Sequence, residues 1–84
     1  MPNSSAVDMV GLMEHLAKAL VEKTDEVFAE AFEEPRHTVI ELEVAEEEVG
    51  RLIGRQGRMA RNLRTIMNAA ALRTGKRYEL EIVE

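Results

Sequence analysis

The feature that most constrains this chain is a four-residue connection, Gly54-Arg55-Gln56-Gly57, between two segments of helical pattern. So short a connection forces a sharp turn, and glycine permits both unusual backbone angles and the close approach of a ligand. The loop leads directly into the second helix, whose first N–H groups lack partners and lie at the positive end of the helix dipole. Because Arg55 and Arg58 flank the same spot, we expect an anion site here, and a run of spaced anions fits it better than a single ion.

The segments around this loop show clear helical or alternating patterns. Residues 37–44 and 77–83 alternate between apolar and polar, which predicts strands with Ile40, Leu42 and Val44, and Tyr78, Leu80 and Ile82, facing inward. Apolar residues at helical spacing predict three helices. Their expected extents are Ser5 (as N-cap) to about Lys23-Thr24, residues 45–53 with three glutamates in the first turn, and Arg58 to about Thr74 with a stop at Gly75.

The stretch from Asp25 to Glu34 is ambiguous. Its residues are good helix formers, and Phe28 and Phe32 lie four apart, so propensity favours a helix. As a strand, the same stretch would place Phe28, Glu30 and Phe32 on one side. Pro35 closes the segment in either case.

Charge is strongly segregated along the chain. The net charge is −5, yet residues 51–77 contain eight lysines or arginines and no acid. Seven of these eight bases are arginine, whose forked guanidinium suits phosphate oxygens. A basic block within an acidic protein predicts a local surface for nucleic acid.

Several other classes of protein fit poorly. The glycines do not form a Walker A loop, because no Lys-Ser/Thr follows, nor a Rossmann motif, because no strand precedes them. Cysteine is absent, His15 and His37 lie far apart, and the only serines, Ser4 and Ser5, precede the first helix. The sequence therefore predicts no catalytic residue, no metal site and no cofactor. It also shows no signal peptide and no membrane-spanning run, which predicts a cytoplasmic protein.

The region from Val49 to Arg58 (Val-Gly-Arg-Leu-Ile-Gly-Arg-Gln-Gly-Arg), followed by Ala60 and Leu63, resembles the KH family of nucleic-acid-binding domains. The whole-chain layout is similar to the small bacterial single-KH proteins of the KhpA type. The resemblance covers about Val7 to Glu84 and implies an α+β fold of type II order, helix-strand-strand-helix-helix-strand. Helices would then pack on one side of a three-stranded sheet. Residues 1–5 precede this domain and are expected from their composition to form a disordered leader, which leaves one KH domain at 6–84.

The resemblance overrides propensity in the ambiguous stretch. It implies that residues 26–32 form the first strand of a hairpin that turns at residues 33–36. Ala29 and Ala31 depart from a good strand pattern.

KH domains clamp about four nucleotides of the backbone with this loop. The resemblance implies that Gly54 and Gly57 admit the RNA backbone and present N–H groups to phosphates, and that Arg55 and Gln56 reach phosphate or ribose oxygens. Bases would pack in an apolar cleft against the 37–44 strand, whose backbone would read base edges. The expected nucleic-acid-binding residues are Gly50, Arg51, Ile53, Gly54, Arg55, Gln56, Gly57, Arg58, Ala60, Arg61 and Leu63. Arg64 and Arg73 are interpreted as part of a solvated helix face.

For partners, the resemblance implies single-stranded RNA, a homodimer, and a heterodimer with a KhpB/Jag-like KH protein. It implies work as an RNA chaperone or regulator, linked in some bacteria to cell elongation and wall synthesis. No membrane or small-molecule partner is expected. Two alternatives stay open: a protein-interaction or dimerisation module with little RNA affinity of its own, and a binder of single-stranded DNA.

Overall fold

Three helices and three strands follow one another in the order that the resemblance implies. The computed structural model describes residues 8–84, so the expected leader at residues 1–5 lies outside the described residues. The elements are α1 (Met9–Leu20), β1 (Phe28–Glu33), β2 (Thr38–Glu43), α2 (Val49–Ile53), α3 (Arg58–Ala71) and β3 (Tyr78–Ile82). The predicted α+β class and the order of elements are confirmed.

Both ends of the first helix differ from the prediction. The N-cap of α1 is Asp8 rather than Ser5, because the Asp8 carboxylate accepts a hydrogen bond from the Gly11 N–H at 2.9 Å. At the other end α1 stops at Leu20, before the predicted Lys23-Thr24, and Val21 is already extended.

The early end of α1 is explained by a buried carboxylate on a distant segment. Glu48 is only 7% exposed, and its two carboxylate oxygens accept the N–H groups of Glu22 at 2.8 Å and Lys23 at 3.1 Å. Arg51 Nη1 lies 3.6 Å from the same carboxylate. The three glutamates at 46–48 carry charges that suit the start of a helix, and Glu48 in addition ties the end of α1 to the start of α2.

The pKa of Glu48 lies below its ordinary value, chiefly because the Glu22 N–H donates to its carboxylate. A depressed folded-state pKa adds stability above the unfolded pKa, near 4.5, and this stability is lost as the pH falls through the folded-state pKa.

We expect Glu48→Gln to lower the melting temperature by at least about 5 °C near neutral pH, because an amide cannot accept both N–H groups. The deficit should shrink as the pH falls toward about 3. Thermal melts of both proteins from neutral pH to about pH 3 test this prediction, with Glu46→Gln, at an exposed glutamate two residues away, as the control. A loss of melting temperature that does not change with pH would contradict it.

The ambiguous stretch forms a strand, as the resemblance implies and against its helical propensity. β1 pairs antiparallel with β2 over six residues, from Phe28 opposite Glu43 to Glu33 opposite Thr38. The Glu34 N–H donates to the His37 carbonyl at 2.8 Å and closes the hairpin. A complete ladder with β2 outweighs the weak preference of Ala29 and Ala31 for other structures.

The sheet has the order β1-β2-β3, with β2 in the centre and β3 parallel to it. α1 packs against β1 and β2, and α3 packs against β3. The core between the layers is apolar, and its largest fully buried side chains are Met13, Ile40, Leu42, Leu52, Leu63 and Met67. The predicted inward positions of the 37–44 and 77–83 segments are confirmed, and β3 is left with a free edge beside α3.

Candidate nucleic-acid interface

The loop between α2 and α3 contains three residues with positive φ. Gly54 has φ 79° and ψ 171°, Gln56 has φ 59°, and Gly57 has φ 73°. Unusual backbone angles at the two glycines are expected from the sharp turn. Gln56 has a side chain, and its positive φ costs about 1 kcal/mol or more. A single turn of 3₁₀ helix at Arg55–Gly57 joins directly to α3.

The two loop glycines do not present their own N–H groups to a ligand, contrary to expectation. The Gly54 N–H donates to the Gly50 carbonyl at 2.9 Å, and the Gly57 N–H donates to the Gly54 carbonyl at 3.1 Å. Within residues 8–84, no backbone acceptor is found for the N–H groups of Arg55 and Gln56. The loop tip, rather than the glycines, therefore offers main-chain donors to an anion.

Exposed guanidinium groups surround the loop tip. Arg55, Arg58 and Arg61 are exposed, and none forms an ion pair within the part of the chain that is described. Arg58 Nη2 donates to the Gln56 side-chain oxygen at 3.2 Å. Arg51 differs, because it lies 3.9 Å from Glu22 and 3.6 Å from Glu48, which offset its charge.

A cleft of about 460 Å³ runs between the helices and the free edge of β3. Of the four residues expected to line an apolar cleft (Gly50, Ile53, Ala60 and Leu63), Ile53 and Ala60 do line it on the helical side, together with Gly57. Gly50 is absent from its lining, and Leu63 is buried in the core at 2% exposure, so neither of these predicted residues lies in the cleft.

The strand that walls the cleft is β3, not the predicted 37–44 strand, which contributes only Val39. β2 is central, so its backbone groups are taken up by ladders on both sides. In β3, the Arg77 carbonyl and the Val83 N–H bond to β2, so the alternating backbone of Leu80 and Ile82 faces the free edge. At the cleft, the backbone groups that are free to pair with a base therefore lie on β3 rather than on β2.

Arg64 is a cleft residue that the sequence interpretation missed. It lines the cleft, and its Nη2 donates to the Leu80 carbonyl at 3.3 Å. Arg64 follows Ala60 by four residues and therefore lies on the same helix face. This four-residue spacing from Ala60 could have identified Arg64 as a cleft residue, but the charge of Arg64 favours its interpretation as part of a solvated helix face.

The two walls of the cleft carry opposite charges. The helical wall holds Arg64 and adjoins the arginines of the loop, whereas Glu79, Glu81 and Glu84 line the strand wall. Phosphates are attracted to the first wall and repelled by the second. The arrangement favours a ligand with a phosphate backbone that follows the loop and with uncharged groups that point toward β3.

Within residues 8–84, no three side chains of the metal-binding types are grouped closely enough to hold a metal ion. In the same range, every helix is too short or too polar to cross a membrane.

Comparison with known proteins places the chain among close relatives. The family described as "KhpA/KhpB, KH domain" matches residues 11–82. A protein of Borreliella burgdorferi named "RNA-binding protein KhpA" is 43% identical over 75 residues, which cover 89% of this chain and 92% of that protein. Proteins of the same name from Clostridium acetobutylicum and Aquifex aeolicus are 41% and 47% identical; the matches cover 89% and 87% of this chain and 100% and 92% of those proteins. No solved structure matches the chain significantly.

Proposed function

Because the chain belongs to the KhpA/KhpB family of KH domains, we propose that it binds single-stranded RNA in the cleft between the Gly54–Gly57 loop and β3. The observation that carries this proposal is the junction of two features. Exposed arginines and free N–H groups at the loop tip open directly onto a cleft that has Ile53, Gly57 and Ala60 on its helical side and ends at a free strand edge. Relatives named as RNA-binding proteins support RNA as the ligand.

In the proposed complex, the RNA backbone lies along the loop. The N–H groups of Arg55 and Gln56 and the guanidiniums of Arg55, Arg58 and Arg61 contact successive phosphates. Gly54 shapes the loop, and Arg51 acts at longer range because Glu22 and Glu48 partly neutralise it.

The bases of the RNA point away from the loop toward β3. Ile53, Gly57 and Ala60 contact their faces, while the backbone of Leu80 and Ile82 and the guanidinium of Arg64 offer hydrogen bonds to their edges. Aromatic stacking platforms do not contribute, because the chain has three aromatic residues and none lines the cleft. We expect weak affinity and broad base tolerance.

The proposed role is that of an RNA chaperone or regulator in the cytoplasm. It would act as a homodimer or with a KhpB/Jag-like KH protein, in pathways that include cell elongation and wall synthesis. The family's joint description as KhpA/KhpB supports the second partner. A role as a dimerisation module, or as a binder of single-stranded DNA, is the competing function.

A salt titration of single-stranded RNA tests the proposal. If about three phosphates are contacted, log K should fall against log[salt] with a slope near −2, since each phosphate of a single strand contributes ~0.7. Single-stranded DNA of the same sequence and double-stranded RNA are the comparisons. A slope near zero would contradict the phosphate contacts, tighter binding of the DNA would favour that alternative, and no binding would favour the interaction module.

A further inference from the structure

The face of the sheet that the helices leave open is strongly acidic. Glu30 of β1, Glu41 of β2 and Glu81 of β3 lie directly side by side in register across all three strands. Like charges in opposed positions destabilise a sheet. At the strand positions that point to this face, the described residues include five glutamates and no lysine or arginine; the other two are Glu43 and Glu79.

Two phenylalanines are exposed on the same face. Phe28 is 60% exposed and Phe32 is 39% exposed, on alternate positions of β1 that flank Glu30. Carboxylates alone would be explained by solubility and by protection against sheet-to-sheet aggregation. Exposed aromatic rings oppose both purposes, and at a protein surface they are typical of binding sites.

Beside Phe28, the open face continues into a groove of about 410 Å³, which we call the Phe28 groove. Its floor includes the apolar side chains of Phe28, Val44, Val49 and Val83. No lysine or arginine lines the groove. The apolar floor is surrounded by four acidic residues, Glu26, Glu43, Glu46 and Glu84. The groove is within the size range of ligand clefts, about 300–1,000 Å³. Its chemistry suits a ligand that is apolar in the middle and cationic at its ends.

We propose that the Phe28 groove and the adjoining acidic sheet face bind a basic segment of a partner protein, in which lysines or arginines alternate with aliphatic residues. The aliphatic side chains lie on Phe28 and the valines, and the cations meet the surrounding glutamates. A cationic segment also relieves the repulsion along the Glu30, Glu41 and Glu81 row.

Charge argues against other occupants of this face. Nucleic acids and anionic lipid surfaces are repelled by the acids that lie outside the RNA cleft, namely Glu26, Glu30, Glu41, Glu43 and Glu46. Residues 1–7 of this chain contain no lysine or arginine. The basic block of a second copy has the right sign and exposes Ile66 and Leu72, but in that contact its arginines could not hold RNA.

Three fluorescent peptides test the proposal by anisotropy on the full chain: one alternating lysine and leucine, one alternating glutamate and leucine, and one alternating lysine and serine. The first should bind, the second should not, and the third should bind at least about tenfold more weakly. Phe28→Ala and Glu43→Lys should each weaken the lysine–leucine peptide by about tenfold or more.

Matched controls separate a built site from general attraction to an acidic protein. Glu34→Lys makes the same charge change in the exposed hairpin turn, and Leu72→Ala removes an apolar side chain that is 85% exposed at the end of α3. Both should bind the peptide within about twofold of the unaltered protein. RNA binding by Phe28→Ala should be unchanged, which also shows that the variant folds.

Two results would overturn the proposal. Equal losses for Glu34→Lys and Glu43→Lys would mean charge attraction without a site. Loss of self-association in Phe28→Ala or Glu43→Lys, measured by sedimentation without peptide, would assign the face to a second copy instead.

Discussion

Replacing Arg55 and Gln56 together by aspartate should abolish RNA binding while leaving the melting temperature within about 3 °C of the unaltered protein. Both residues are exposed at the loop tip, so the core loses nothing. Gln56 has φ 59°, a conformation that aspartate tolerates better than most residues. Where phosphates are expected, one positive charge is lost and two negative charges arrive, which should weaken binding by at least about a hundredfold.

The matched control is Arg73→Asp with Lys76→Asp. These residues belong to the same basic block, are exposed beyond the end of α3, and do not line the cleft. The control makes a larger change in net charge, so a general electrostatic effect would weaken RNA binding at least as much as the loop variant does. We expect the control to lose only a few-fold in affinity, and less as salt is raised. Titration of single-stranded RNA and thermal melts measure both quantities.

If the loop variant binds RNA as the unaltered protein does, the Gly54–Gly57 loop is not the clamp. The fold would then stand without the function proposed for it, because fold alone does not determine function. The interaction module would become the better account of this chain.

How far the sequence predicts this fold depends on where each element obtains its stability. β2 and β3 were predicted closely because alternation records which side of a strand is buried, and Ile40, Leu42 and Leu80 are indeed buried. β1 was not predictable from propensity, since its stability comes from pairing with β2. Only the resemblance to KH domains identified it as a strand.

The end of α1 was mispredicted for a similar reason. The helical pattern continues past Leu20, and the residue that interrupts it, Glu48, lies 25 or more positions further along the chain. A local pattern cannot report a hydrogen bond of this range.

The candidate site likewise has a part that the sequence predicts and a part that it does not. The glycines, Arg55 and Arg58 were predicted because their sequence neighbours are also their spatial neighbours. The strand wall was mispredicted, because sequence order does not reveal that β2 is central and β3 has the free edge. Because of this strand order, the base contacts that we propose involve Leu80, Ile82 and Arg64 rather than the 37–44 strand.

The two glycines of the loop should respond very differently to alanine. At Gly54 an added Cβ would lie 2.7 Å from Met59 Cβ and 2.8 Å from the Met59 nitrogen, and its φ of 79° with ψ of 171° belongs to a region that is essentially restricted to glycine. At Gly57 an added Cβ meets no atom within 4 Å, and the left-handed φ of 73° is the only cost.

We therefore expect Gly54→Ala to lower the free energy of unfolding by about 3 kcal/mol or more, because steric overlap with the backbone of α3 adds to the strained conformation. Gly57→Ala should lower it by only about 1–2 kcal/mol. RNA binding by the folded protein, in contrast, should be weakened more by Gly57→Ala than by Gly54→Ala. Gly57 lines the cleft, so its new methyl group would occupy space in which the bases of the RNA are proposed to pack, and folded Gly57→Ala should bind RNA at least about tenfold more weakly. Denaturant unfolding and RNA titration of both variants measure this contrast, and equal losses of stability would show that Gly54 does not pack against α3 as described.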